Sequence, residues 1–257
     1  MNRRTLPAGR LCAALCAGIA LSCPPSQAQQ LAVDAPPNPA SVAGAPFSAV
    51  ATQQITREFT DGNRMARTVR VIHYYRDSTG RTRIEREASK QSAGAQATLQ
   101  GGVDEIDDPV AGERYLLIQR TRTAEVFEGR TTAHLVQPPV TPPGITAYFG
   151  GLVIGPKDQG WSQPEPLGEK VIEGVRAVGT RREYTLAAGA IGNEKPIGID
   201  IEQWFSPDLG MIVSKTGHAT TGGGSSYRLE HIVQADPDPT LFTIPADYTR
   251  QTTAASN

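Results

Sequence analysis

The chain has 257 residues, 25 basic and 26 acidic side chains, a formal net charge of −1 and 39% hydrophobic residues. This near-neutral balance lacks the basic field that a nucleic-acid partner requires, and the apolar share allows a sizeable core in one large or two small domains. All three cysteines, Cys12, Cys16 and Cys23, lie in the first tenth of the chain, so the rest can hold no disulfide and no cysteine-ligated metal.

Residues 1–28 have the layout of a secretory signal peptide: basic Arg3-Arg4, an apolar run from Leu11 to Leu21, and the small-x-small ending Ser26-Gln27-Ala28. Cleavage after Ala28 would send the product to the periplasm or the extracellular space. Acylation at Cys23 is the competing reading. Lipoprotein signals place leucine one residue earlier relative to the cysteine than Leu21 stands here, so plain cleavage is preferred. No later apolar run is long enough to span a bilayer as a helix.

Residues 29–46 read as a disordered Pro/Ala-rich arm, because Ala35-Pro36-Pro37-Asn38-Pro39 excludes both helix and ladder pairing. A single antiparallel β domain is expected over 47–248, with a tail at 249–257. Its first strand runs from Val50 to Phe59 and reverses at Thr60-Asp61-Gly62-Asn63, where Asp-Gly tolerates positive φ. In the return strand, Arg64 to Tyr75, the odd positions Met65, Arg67, Val69, Val71, His73 and Tyr75 form the more apolar side and are expected to face the core. Ser78-Thr79-Gly80 turns the chain into Arg81 to Glu87, whose Arg81, Arg83, Glu85 and Glu87 share a side expected to be wet. Residues 89–102 read as a loop. Arg114 to Ile118 and Thr123 to Phe127 suggest a hairpin introduced by Asp108-Pro109.

Residues 137–168 form a long Pro-rich loop, and loops of that length are often functional. The apolar piece Ile145 to Ile154 inside it, with Tyr148 and Phe149, is expected to form one or two helical turns. Strands return with Lys170 to Ile172, then Val175 to Leu186 after Glu173-Gly174. Ile197, Ile199, Ile201, Gln203 and Phe205 alternate with Gly198, Asp200, Glu202 and Trp204. Further strands follow at Met211 to Val213 and Ser226 to Gln234, and Leu241 to Ile244 docks last. The expected fold class is therefore mainly β: a strongly curved antiparallel sheet, half-barrel-like, with few short helices.

No constellation for catalysis emerges. His73, His134, His218 and His231 show no metal-ligand spacing, and His73 and His231 read as half-buried histidines with one partner each. Gly222-Gly223-Gly224-Ser225-Ser226 is a hairpin turn without the following helix that a phosphate cradle needs. Glu105, Asp107 and Asp108, and likewise Asp236 and Asp238, read as exposed turn residues. The arginines Arg57, Arg64, Arg67, Arg70, Arg76, Arg81, Arg83 and Arg86 stand among Glu58, Asp61, Asp77, Glu85 and Glu87. They read as cross-strand ladders on a wet face or, alternatively, as a docking strip for an anionic head group or partner. No cofactor and no metal site is implied.

Two blocks carry a resemblance. One is Thr60-Asp61-Gly62-Asn63-Arg64 with Tyr75-Arg76-Asp77, Gly80-Arg81, Arg83 and Glu85. The other comprises Gly179-Thr180-Arg181, Gly192 to Ile197, Glu202, Trp204 to Pro207, and Asp236-Pro237-Asp238-Pro239 with Leu241-Phe242, Pro245 and Tyr248. Together they resemble an uncharacterised family of exported bacterial proteins. More distantly, the strand order and the closing Asp-Pro-x-Leu-Phe segment are similar to the periplasmic lipoprotein-carrier and envelope-stress-sensor superfamily. That similarity implies an open half-barrel that holds acyl chains or recognises lipoproteins. The superfamily's amphipathic helix before the first strand has no counterpart in Ala35 to Pro39.

The leading expectation is a non-enzymatic exported domain that binds a lipid acyl chain or a lipoprotein on the concave side of its sheet. The candidate lining residues are Val69, Val71, Tyr75, Tyr148, Phe149, Ile199, Ile201, Phe205, Tyr227 and Leu229. The alternative is an envelope protein-interaction or sensing module without a small ligand. An enzyme of unrecognised type comes third.

Overall fold

The computed structural model describes residues 42–87, 102–129, 147–149, 152–154 and 160–252, all within one compact unit, Leu31–Asn257. The signal-peptide reading with its cysteines, most of the arm, the 89–101 loop and His134 lie outside the described residues.

Fourteen strands follow in chain order: β1 (Phe47–Glu58), β2 (Arg64–Arg76), β3 (Thr82–Arg86), β4 (Val103–Asp108), β5 (Glu113–Ile118), β6 (Thr123–Glu128), β7 (Ala147–Phe149), β8 (Leu152–Ile154), β9 (Glu165–Ile172), β10 (Val175–Leu186), β11 (Ile197–Ser206), β12 (Met211–Ala219), β13 (Gly223–Val233) and β14 (Thr249–Thr252). A 3₁₀ turn, Pro239–Phe242, precedes β14. Twelve strands build one sheet in the order β14-β6-β5-β4-β3-β2-β1-β13-β12-β11-β10-β9, while β7 and β8 pair separately. Every neighbour pair is antiparallel except β14 on β6. The ends, β14 and β9, do not meet, so the sheet is open, and the fold is the strongly curved half-barrel-like sheet expected.

Register shifts supply bends. They fall at Ser48/Val50 against β13, Gln53/Gln54 against β2, Gly179/Thr180 against β9 and Trp204/Phe205 against β12. Each extra residue raises local twist and bends its strand. A two-residue hairpin joins β9 to β10 through Glu173 (φ 48) and Gly174 (φ 81), two positive angles in succession. That pair matches the right-handed twist of the flanking strands.

The β2 shift corrects one expectation. Near the turn, Arg67 stands opposite Ile55 and Thr68 opposite Gln54. Beyond it, Arg70 stands opposite Gln53 and Ile72 opposite Ala51. Val69 is the extra residue, and it inverts the alternation. Ile72, Tyr74 and Arg76, not Val71, His73 and Tyr75, join Phe47, Ala49 and Ala51 in the buried core.

Other differences have equally local causes. The Arg83 side of β3 is not wet, because the C-terminal segment covers it: the Arg83 guanidinium donates to the Leu241 carbonyl and reaches Asp104 at 3.1 Å. Glu105 and Asp107 are not in a turn but in β4, where Asp104 and Asp107 are buried. Ala147–Phe149 and Leu152–Ile154 pair as strands rather than helical turns. His231 is exposed at φ 55 rather than half-buried, whereas His73 is half-buried and meets Glu87 at 3.1 Å. The arm's last residues are pinned, since Ala45 accepts from Arg76 and Gly44 N–H donates to Ser78 O. The expected tail begins with β14, tied by Thr249 N–H to the Arg122 carbonyl and by an Asp247–Arg122 ion pair.

Candidate functional site

The paired registers sort the side chains of β1, β2 and β10–β13 onto two faces, named here by Ile72 and by Tyr75. The Ile72 face carries two apolar zones. One gathers Phe47, Ala49, Ala51, Ile72, Tyr74, Leu229 and Tyr227 with Phe205, Leu209 and Val213; the other gathers Leu186, Ile197, Ile199, Ile201 and Trp161. Trp161 lies beside the Tyr184 ring, with centroids 5.2 Å apart. Burial of such positions removes apolar area from water at about 25 cal/mol per Å², which is what fixes the face.

A polar row separates the zones. Arg70 lies opposite Gln53, Gln53 opposite Tyr227, Tyr227 opposite Lys215, Lys215 opposite Gln203, and Gln203 opposite Thr180. The row crosses six adjacent strands at one level. Gln53, Gln203 and Tyr227 are 3%, 1% and 4% exposed, so these are interior polar groups. Burial raises the Tyr227 and Tyr74 phenols well above their usual range. The two hydroxyls influence each other's titration, yet the Tyr227 hydroxyl has no hydrogen bond of ordinary geometry among the described residues. Burial and the neighbouring Arg86 cation both lower Arg70.

At one end of the face Arg76 acts as a structural clasp. It is 0% exposed, donates to the Ala45 carbonyl at 2.7 Å and the Leu209 carbonyl at 2.9 Å, and lies 4.8 Å over the Phe47 ring. Burial lowers it to about 10. The Pro207-to-Gly210 turn is thereby held to the start of β1.

The structure divides the candidate lining residues. Ile199, Ile201, Tyr227 and Leu229 share the Ile72 face, and Phe205 joins their core beyond the bulge at Val213 of β12. Val71 and Tyr75 lie on the opposite face, with Val69 at the bulge itself. Tyr148 and Phe149 belong to β7, whose side chains lie outside the description. Sequence reading missed Ile72, Tyr74, Gln53, Gln203 and Trp161. The signal for the first two was the small-residue alternation of Ala49 and Ala51 on the partner strand, which needs companions of larger volume.

No group of three or more His, Cys, Asp or Glu side chains able to hold a metal occurs among the described residues. No helix among them is long and apolar enough to cross a membrane.

No protein-family profile matches the chain, and no curated protein does. Solved structures do match. The Mycobacterium tuberculosis lipoprotein LppX shares 8% identity over 71% of this chain and 84% of its own, with a TM-score of 0.26. A LolA superfamily protein from Nitrosomonas europaea shares 8% over 78% and 90%, at 0.26. LprF from Mycobacterium bovis shares 10% over 79% and 90%, at 0.29. The coordinates themselves define an open, curved, twelve-stranded sheet whose β11 carries apolar groups on both sides of the polar row.

Proposed function

We propose that the protein is exported, is not an enzyme, and takes the acyl chain of a lipid or lipoprotein against the Ile72 face, which we take as the concave side. The observation that carries this reading is the division of that face: two apolar zones on an unclosed sheet with a polar row between them. Three members of that row, Gln53, Gln203 and Tyr227, are buried, so polar groups are maintained across an otherwise apolar face. An amphiphile, apolar at one end and polar at the other, fits that pattern.

The interaction-module reading has weaker support at the sheet edge. β9 exposes Val171 to 72%, but the strand also carries Pro166, Glu165, Glu169 and Lys170, devices that discourage strand addition.

The test is solvent extraction of protein purified from its native envelope, followed by lipid mass spectrometry, together with titration of a fluorescent fatty acid. The expected result is a co-purifying acylated species and saturable binding. No extracted lipid and no saturable binding would overturn the proposal.

A further inference from the structure

Charge is unequally divided between the faces of β1, β2 and β10–β13. Their acids, Glu58, Glu183, Asp200, Glu202 and Glu230, all fall on the Tyr75 face. The Ile72 face of the same six strands carries no carboxylate, yet it bears Arg57, Arg67, Arg70, Arg76, Arg176, Arg182 and Lys215. A mixed surface would scatter both signs.

Several of these cations have evident structural tasks. Arg76 clasps two carbonyls, Arg176 reaches Glu169 and Asp208, Arg182 donates to the Ser162 carbonyl, and Arg57 lies over the Phe59 ring. Across the sheet, Arg86 and Arg114 share Glu105. Arg67 and Arg70 are different. Both are half-buried, and neither forms an ion pair among the described residues. Arg70 has another guanidinium, that of Arg86, as its charged neighbour.

The β2 bulge brings the two together. Residues three apart on a regular strand point to opposite faces. With Val69 inserted between the pairs Thr68–Gln54 and Arg70–Gln53, Arg67 and Arg70 emerge on one face. Bulges of this kind re-aim side chains beside sites. Both guanidiniums thus stand on a face whose six strands offer them no carboxylate, and a partly desolvated cation gains most from an anion brought to it.

We infer that Arg67 and Arg70 receive the anionic head group, a carboxylate or phosphate, of the amphiphile whose chain lies on the Ile72 face. The inference rests on the reading of the previous subsection and adds the ligand's charge class. Guanidinium forks suit planar or tetrahedral oxyanions, to which they donate paired N–H groups. Tyr227 belongs to the same cross-strand row as Arg70, where the polar part of the ligand would lie.

The experiment displaces a bound fluorescent fatty acid with four competitors: dodecanoate, dodecyl phosphate, dodecanol and inorganic phosphate. It uses the full chain and the variants Arg67→Gln, Arg70→Gln and, on the other face, Arg228→Gln. Dodecanoate or dodecyl phosphate is expected to compete at least about tenfold better than dodecanol, the effect of one charge-assisted contact. Whichever of the two is stronger identifies the head group. Arg67→Gln and Arg70→Gln should each remove most of that preference while leaving dodecanol unchanged, and Arg228→Gln should remove none. Equal competition by dodecanol, or equal effects of Arg70→Gln and Arg228→Gln, overturns the charge assignment and spares the acyl-chain reading. Displacement by inorganic phosphate as strong as by dodecyl phosphate also overturns it. If none of the dodecyl compounds competes and the probe itself does not bind, both fail.

Discussion

The strands β4–β6 and the strands β1, β2 and β13 bury opposite faces of the same sheet, while β10 and β11 bury residues on both. In β4–β6 the core is Ile106, Tyr115, Leu117, Ala124 and Val126, in register with Arg83 and Tyr75, and the C-terminal residues Ile244 and Tyr248 pack against it. In β1, β2 and β13 the core lies on the Ile72 face, whereas Val175, Ala177 and Trp204 of the same cluster stand on the Tyr75 face. The change occurs at β3, where Thr82, Arg83 and Ile84 are all buried. One side of the molecule is thus closed by its own C-terminus, with ion pairs balanced around Arg83, Asp104 and Glu105. The other gathers cations and a polar row between apolar zones. The lesson is that a sheet with one continuous ladder can hold a finished core and a receptive face side by side, provided burial changes sides between them.

Deleting core volume has the largest expected effect. Phe205→Ala should cost about 4 kcal/mol and Leu117→Ala about 3 kcal/mol in urea denaturation. Hydrogen exchange should separate them: Leu117→Ala is expected to raise exchange at Thr249–Thr252, and Phe205→Ala to raise it along β10–β13. A uniform rise in both variants would mean that the two blocks open as one.

The Arg76 clasp comes next. Arg76→Leu keeps an apolar stem but leaves the Ala45 and Leu209 carbonyls without their donor, and should lower stability by about 2–3 kcal/mol. Thermal unfolding measures it, and a change below about 0.5 kcal/mol would show that water replaces the guanidinium freely.

Gly179→Ala sharpens the description of the Tyr75 face. A Cβ there would stand 2.6 Å from the Trp204 ring and 2.8 Å from Leu167 Cβ. Displacing Trp204 from beneath the Lys170 ammonium, 3.5 Å from its centroid, should cost about 1–2 kcal/mol and shift indole emission to the red. An unshifted spectrum would place the strain elsewhere.

The smallest expected effect is the pH dependence of Asp104. Burial raises its pKa above the usual carboxylate value, against the opposing pull of Gln119 and Arg83. The native state then holds a proton that the unfolded chain releases, so the stability due to this group grows as pH falls from the folded pKa toward the ordinary value near about 4. Asp104→Asn should remove that gain. Denaturation midpoints for both proteins across this range check it, and a parallel pair of curves would contradict it.

Much of the fold was legible because turn chemistry and alternation act locally. Asp61-Gly62, Glu173-Gly174 and Pro207-to-Gly210 reverse the chain where their residue types demand it, and Ile197, Ile199 and Ile201 are buried as their period of two requires. The site was legible only in part, and Val69 is the reason. A single inserted residue reverses which half of β2 is inside, and no local propensity announces it. The carboxylates of β4 were misread because their burial depends on Arg83 and Gln119, partners distant in sequence. The arginine-rich stretch contained both readings at once: Arg81, Arg83 and Arg86 form ion pairs on β3 and its approach, whereas Arg67 and Arg70 stand on the Ile72 face.

The chain's two tryptophans stand on opposite faces, Trp161 with the Ile199 zone and Trp204 across the sheet opposite Gly179. A fatty acid brominated along its chain quenches indole emission on contact, so titrating it into Trp204→Phe and Trp161→Phe variants reads which face the chain occupies. Strong quenching of Trp161 with little effect on Trp204 is the predicted result. Quenching of Trp204 equal to or greater than that of Trp161 would contradict binding on the Ile72 face.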